Sequence, residues 1–236
     1  MIKRALGFVA GLLEPGWKAF RAYRPVFLGI QSVGLLLLLA YYFLPGLAGA
    51  CEALVAWKRA GGLWFAALAT VVSGGVVPEL LKWKMRPAGL PHPGPLELLH
   101  QMTLFAILGM MVDVFYDLQG RWFGPTTGLG VLLLKWFVDQ FVYSLFLTGP
   151  LSILWFMWRE HRFDPLATMR AAWSRQFIGR VLPMWATGLV FWTPLLFGLY
   201  VLPVGLQFLA FLVANCAWGI LMVFIARRQI DGADVG

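Results

Sequence analysis

One apolar stretch dominates the hydrophobic pattern of the chain: residues 130–158 could cross a bilayer, yet they contain Lys135, Asp139 and Gln140. A charged side chain near the centre of a bilayer costs about 2.5–3.5 kcal/mol, so these groups must face protein or water. Lys135 and Asp139 share one helix face and can pair, and Gln140 lies close to that face. The pattern predicts that other helices pack around these three residues, here called the polar stripe. The stripe is either a structural ion pair or the lining or gate of a pore.

Including this stretch, six apolar segments have about the 20 residues that a membrane-spanning helix needs. The predicted spans are residues 26–44, 63–81, 96–116, 131–158, 182–202 and 204–226. The fourth exceeds the hydrocarbon thickness and is predicted to bend at Gly149-Pro150, where the proline removes a helix hydrogen bond. Residues 47–58 are apolar but too short to span, which favours a position at the membrane interface.

Three segments are predicted to lie outside these spans. Residues 1–24 are predicted to form an amphipathic lead-in on the membrane surface. Residues 164–181 are predicted to form an interfacial helix, with Asp164 as N-cap and Pro165 at its first position. A helix that binds a partner protein is the alternative for this segment. Residues 229–236 form a short polar tail.

The composition indicates a membrane protein. Of the 236 residues, 60% are hydrophobic and only 13% are charged, which is too little charge to cover a soluble domain. Because the spans are continuously apolar rather than alternating, they are predicted to be helices. The expected fold is all-α, a transmembrane bundle of about six spanning helices. Cys51 and Cys216 provide neither a disulfide framework nor metal-ligand spacing.

The positions of the basic residues predict the orientation. With a cytoplasmic N-terminus, the outer segments contain only Lys58, Arg59 and Arg121, and Lys135 lies within the membrane. All other lysines and arginines are then on the inside, as is typical of membrane proteins, and both termini are cytoplasmic. The net charge of +8 therefore indicates topology and attraction to anionic lipid. A nucleic-acid site is not expected, because the chain contains no soluble domain to carry one.

Two further groups of polar residues accompany the stripe. Asp113, Asp117 and Arg121 recur every four residues and form one ridge at the outer end of the third span. This ridge is either the mouth of a polar cavity or a solvated helix end. Glu79 lies near the inner end of the second span, where it can pair with Lys82 or contribute to the inner side of a pore.

The histidines His92, His100 and His161 give little support for an enzyme. Glu97 and His100 have the Glu-x-x-His spacing of di-iron bundles, but such a site needs two copies and the chain has one. The chain contains no nucleophile elbow, phosphate loop or HExxH motif. We therefore expect no catalytic residue, cofactor or metal.

Residues of several spans resemble the Mpv17/PMP22 family of small membrane proteins over about residues 70–228. The sequence KWFVDQ at 135–140 is similar to the family's Lys-x-x-x-Asp-Gln signature. Further matches to the family's motifs are Gly109, Tyr116, Leu118, Arg121, Tyr200, Pro203, Trp218 and, at a glutamine position, Glu79.

The chain departs from the family pattern at several positions, which are Gly75, Met110, Phe115, Gln207 and Gly219. The family usually has four spans, fewer than expected here. The Ala-, Gly-, Leu- and Arg-rich composition favours a divergent bacterial member. The resemblance implies a protein of an energy-transducing or peroxisomal membrane, for which a pore or small-metabolite channel activity has been proposed.

The sequence predicts a channel or transport protein for small polar or anionic solutes, in a bacterial inner membrane or an organellar membrane. The residues expected to line or gate it are Lys135, Asp139 and Gln140, with Asp113, Asp117 and Arg121 at the outer mouth and Glu79 toward the inner side. The alternative is a non-transporting structural or accessory protein that binds a partner subunit. Expected partners are the lipid bilayer, anionic lipid, a second copy or another membrane protein. A water-filled path past Asp139 would favour the channel, and a dry core would favour the alternative.

Overall fold

The computed structural model describes residues 24–85, 93–126 and 128–233, together with Gly11 and Arg21. Every element within these residues is a helix and none is a strand, which confirms the all-α prediction for this part of the chain. The helices are α1 Arg24–Phe43, α2 Pro45–Thr70, α3 Val77–Met85, α4 Pro95–Phe123, α5 Leu129–Phe137, α6 Gly149–Glu160, α7 Pro165–Ala172, α8 Arg175–Val201 and α9 Val204–Ala233. Two π-helices, π1 Val71–Val76 and π2 Val138–Thr148, connect α2 to α3 and α5 to α6. The predicted lead-in over residues 1–24 lies almost entirely outside the described residues, as do His92 and residues 234–236 of the predicted tail.

Four helical stretches are long and apolar enough to cross a membrane: Gly46–Lys84, Pro95–Phe123, Leu129–Glu160 and Phe177–Val201. They contain most or all of the second to fifth predicted spans. The first and sixth predicted spans correspond to shorter apolar helices, Leu28–Phe43 and Val204–Ile220. The count of six spans and the cytoplasmic termini stay predictions.

The interfacial position expected for residues 47–58 stays a prediction, and the structure places this segment in a long, kinked helix. Pro45 lies in the first turn of α2, which continues to Thr70 and includes this segment. Gly62 has non-helical backbone angles, φ 52° and ψ −138°, and kinks the helix. Glycine tolerates this left-handed conformation, and Gly62 therefore joins two helical parts of α2 at a kink. Lys58 is consequently carried into the bundle on a long helix.

Each π-helix is followed closely by a proline. Pro78 is the second residue after π1, and Pro150 is the second residue after π2. Proline has no N–H and cannot donate to the carbonyl four residues before it, so the hydrogen-bonding pattern around it must change. The irregularity expected at Gly149-Pro150 thus extends back over the 11 residues of π2. This segment contains Asp139 and Gln140.

The segment predicted as one interfacial helix over 164–181 is divided. The side chain of Asp164 accepts hydrogen bonds from the backbone N–H groups of Leu166 and Ala167, which confirms it as the N-cap of α7. The helix ends at Ala172, and residues from Arg175 onward belong to the next long helix, α8. Pro183 and Pro194 lie inside α8 without ending it.

The core lies where α4, α8 and α9 meet. Helix α4 contacts α2, π1, α5, α6 and α9, and α8 contacts α1, α5, π2, α6, α7 and α9. Helices α2 and α4 approach closely at Gly109, where an added Cβ would lie 2.7 Å from the carbonyl oxygen of Ala66. Aromatic side chains fill the centre of the core, among them Phe115, Tyr116, Tyr143, Tyr200, Phe208 and Phe211. The polar stripe lies beside this cluster.

Candidate functional site

The polar stripe is enclosed by protein. The exposed fraction is 0% for Lys135, 5% for Asp139 and 2% for Gln140. Lys135 is on α5, whereas Asp139 and Gln140 are at the start of π2. The prediction that other helices pack around the stripe is therefore confirmed. The partners of each polar group then decide what the stripe can do.

The carboxylate of Asp139 accepts three hydrogen bonds from side chains. The Tyr200 hydroxyl donates to Oδ2 at 2.5 Å, while Gln140 Nε2 and Ser144 Oγ donate to Oδ1 at 3.1 Å and 3.4 Å. Ser144 is five residues after Asp139, the spacing that a π-helix aligns on one side. An α-helix would turn these two residues well apart. The π-helix therefore helps to satisfy a carboxylate that water does not reach.

Gln119 extends this network to a third helix. Its Nε2 donates to the Tyr200 hydroxyl at 3.0 Å and, at 3.4 Å, to the backbone carbonyl of Lys135. Gln119 and Tyr200 are both fully buried. Hydrogen bonds through these side chains thus connect α4, α5, α8 and π2.

Lys135 and Asp139 do not form the expected ion pair. The Lys135 ammonium instead donates to the carbonyl oxygen of Gly124 at 2.7 Å. Gly124 is the C-cap of α4, where a positive charge is favoured by the helix dipole. Helical side chains lean toward the N-terminus of their helix, so Lys135 extends away from Asp139. The two charges are satisfied separately.

A second buried polar group forms around Lys58. Its ammonium lies 2.5 Å from Asp113 Oδ1 and 3.9 Å from Asp117 Oδ1, and it is 5.5 Å from the ring centroid of Phe208. Lys58, which was predicted to lie in an outer segment, is buried because α2 carries it against α4. Within the described residues Arg121 has no ion pair, and the carboxylates of Asp113 and Asp117 lie near Lys58 instead.

Glu79 forms the expected pair with Lys82 on α3, with Oε2 and Nζ 3.1 Å apart. In the described part of the chain, no hydrogen bond or ion pair links Glu79 or Lys58 to the polar stripe. The structure thus divides the predicted site into three separate polar groups.

Sequence reasoning missed four residues of these networks, Lys58, Gln119, Ser144 and Tyr200. A signal for Gln119 was present, because the apolar pattern of α4 continues past it to Phe123, whereas the predicted span ended at 116. Ser144 could be identified only with the π-helical spacing. Tyr200 had been noted only as part of a family motif.

His100 lies in an aromatic cluster at the other end of α4. Its ring is 5.1 Å from that of Trp155, 5.8 Å from Trp158 and 5.3 Å from Phe163. Neither His100 ring nitrogen has a hydrogen-bond partner among the described residues. The carboxylate of Glu97 instead accepts from the backbone N–H of Gly94 and caps α4, so Glu97 and His100 serve different roles.

Comparisons with protein-family models, with curated proteins and with solved structures find no match for the chain.

Proposed function

We propose that the chain is an integral membrane protein whose polar stripe is a structural lock, and that it acts as a non-transporting structural or accessory protein. The observation that carries this proposal is the complete enclosure of Lys135 and Asp139, each hydrogen-bonded to protein groups. A residue that lines an open pore must face water, and these do not. The lock connects α4, α5, α8 and π2 at the centre of the bundle.

Energetics supports a structural role. A buried carboxylate or ammonium is tolerated only when hydrogen bonds replace its hydration. Three donors surround Asp139, and Lys135 lies on the carbonyl end of α4. Lys58 and Asp113 form a second enclosed pair between α2 and α4. Both arrangements fix how neighbouring helices pack.

A channel or transport protein for small polar or anionic solutes is the second candidate. It is favoured by two buried oxygens without a hydrogen-bond partner in the described structure, Tyr143 Oη and Gln119 Oε1. Such groups are costly unless water or a solute reaches them. In this case the stripe is a closed gate, and the Asp139–Tyr200 hydrogen bond must break for it to open.

The proposal also covers the family, the membrane topology and the partners of the chain. The chain is a divergent member of the Mpv17/PMP22 family, with six spans and both termini in the cytoplasm of a bacterium or in the equivalent compartment of an organelle. Its partners are membrane lipids and a second copy or another membrane protein. The resemblance of residues 135–140 to the family signature supports this assignment.

The test is solute flux and single-channel current from purified protein in liposomes. Wild type is compared with Asp139→Asn and Lys135→Met, and the control is Glu52→Gln, an exposed carboxylate outside the predicted lining. We expect no flux from any sample, with lower stability in the two stripe variants. Wild-type conductance that changes in Asp139→Asn but not in Glu52→Gln would overturn the structural proposal and support the channel.

A further inference from the structure

Helix α7 presents its large apolar side chains outward. Leu166 is 66% exposed, Met169 is 61% exposed and Trp173, at the helix end, is 90% exposed. These positions are three, four and seven residues apart and share one helix face. The opposite face has small residues and packs against α6 and α8; it consists of Ala167, Thr168, Ala171 and Ala172. The large apolar side chains of α7 therefore face away from the bundle, whereas a helix that fills a core turns them inward.

Three exposed arginines flank this apolar face, Arg162, Arg170 and Arg175. No ion pair involves any of them among the residues that the structure describes. Arg180 differs, because its guanidinium is 2.6 Å from Glu160. The apolar face thus has a rim of three arginines without ion pairs in the described structure, and Asp164 is the one acidic residue between positions 162 and 175.

The turn before α7 is held in place. Arg162 and Phe163 have positive φ angles of 53° and 64°, which non-glycine residues rarely adopt. The Phe163 ring packs edge-on against His100 and Trp158, and this packing anchors the turn. The orientation of α7, and with it the outward face, is therefore built into the fold.

The position of α7 relates this face to a membrane surface. The helix connects the ends of two stretches that are long enough to span, Leu129–Glu160 and Phe177–Val201. It must then lie at the level where these helices leave the hydrocarbon. Tryptophan is enriched at that level, and arginine binds phosphate with two parallel hydrogen bonds.

We propose that the α7 face, formed by Leu166, Met169 and Trp173 with its arginine rim, binds the anionic phospholipid headgroups of the membrane in which the chain resides. The apolar side chains insert among the acyl chains nearest the headgroups, and the arginines bind lipid phosphates. The charge of the rim favours a lipid surface over a protein partner for this face. A rim with three unpaired arginines suits a dense anionic surface, which the cytoplasmic leaflet supplies. This inference rests on the proposed membrane location and orientation of the chain, but not on whether the polar stripe is a lock or a gate.

The test is hydrogen–deuterium exchange of the full chain in lipid nanodiscs. Phosphatidylcholine alone is compared with phosphatidylcholine containing phosphatidylglycerol, and deuterium uptake is followed in peptides covering residues 164–175. We expect several-fold slower exchange of these amides in the anionic discs, with the difference reduced at high salt. The variant Arg170→Gln/Arg175→Gln is expected to lose the difference while keeping the wild-type unfolding temperature.

The matched control is Arg59→Gln/Arg121→Gln, which removes two exposed charges near the opposite end of α4 and is expected to keep the lipid response. Equal uptake of the 164–175 peptides in both kinds of disc would overturn the proposal. The proposal would also be overturned if both double variants showed the same difference in uptake between the two kinds of disc. The exposed face would then be assigned to a protein partner.

Discussion

The Tyr200 hydroxyl donates a hydrogen bond of 2.5 Å to Asp139 Oδ2, and this contact joins α8 to π2 inside the bundle. The two residues are 61 positions apart in the chain, and both are buried. Tyr200 also accepts from Gln119, so one hydroxyl connects the carboxylate to α4. The hydrogen bonds of the polar stripe therefore include a residue outside the Lys-x-x-x-Asp-Gln pattern.

Replacing Tyr200 by phenylalanine removes one donor from a buried carboxylate and one acceptor from Gln119. We expect Tyr200→Phe to lower the free energy of unfolding by about 1–2 kcal/mol, toward the upper end for hydrogen bonds between membrane helices. Unfolding in detergent, followed by circular dichroism, measures the change. Tyr42→Phe is the control, because its hydroxyl bonds to Val201 O at an exposed site. Equal losses in both variants would contradict a special role for Tyr200.

Lys135 and Asp139 have separate hydrogen-bond partners, so substitutions at the two residues should have additive effects on the free energy of unfolding. In a double-mutant cycle, Lys135→Met and Asp139→Asn should couple by less than about 0.5 kcal/mol, since no ion pair joins them. The cycle of Tyr200→Phe with Asp139→Asn should show the larger coupling. A strong coupling between Lys135 and Asp139 would instead indicate that the two residues form the ion pair that their spacing suggested.

Much of this site follows from the sequence, because charged groups inside an apolar run are conspicuous. The positions of Lys135, Asp139 and Gln140 predicted a buried stripe, and Glu79 and Lys82 predicted a local pair. The partners of the stripe could not be predicted in the same way. They come from other helices, and which helix faces which depends on packing across the whole bundle.

The burial of Lys58 could not be predicted either. The apolar residues before it are too few to span a membrane, which predicted an interfacial segment. In the structure these residues lie in α2, which is kinked at Gly62 and continues to Thr70, and Lys58 contacts Asp113 on α4. Continuity through a kink cannot be deduced from composition, whereas the Asp164 N-cap could be predicted because it depends on neighbouring residues alone.

The buried pair of Lys58 and Asp113 predicts an asymmetric response to mutation. Lys58→Met leaves the Asp113 carboxylate without its cation and should lower the free energy of unfolding by about 3–5 kcal/mol. The double variant Lys58→Met/Asp113→Leu should recover most of that loss, because both charges are then removed. Asp117→Asn, at a half-exposed carboxylate 3.9 Å from Lys58, should cost about 0–1 kcal/mol. A double variant less stable than Lys58→Met would contradict the buried pair.

His100 provides a test of unsatisfied polar groups in an aromatic cluster. Both of its ring nitrogens are buried without a partner in the described structure, and such groups cost about 1–3 kcal/mol each. His100→Phe keeps an aromatic ring against Trp155 and removes both nitrogens, so the unfolding temperature should stay the same or rise. Trp155→Phe is the matched variant: its indole N–H donates to the His100 carbonyl at 2.9 Å, and losing that bond should lower the unfolding temperature. If His100→Phe were the more damaging of the two, a bound water or ligand must satisfy the imidazole, and the cluster would be a binding site rather than packing alone.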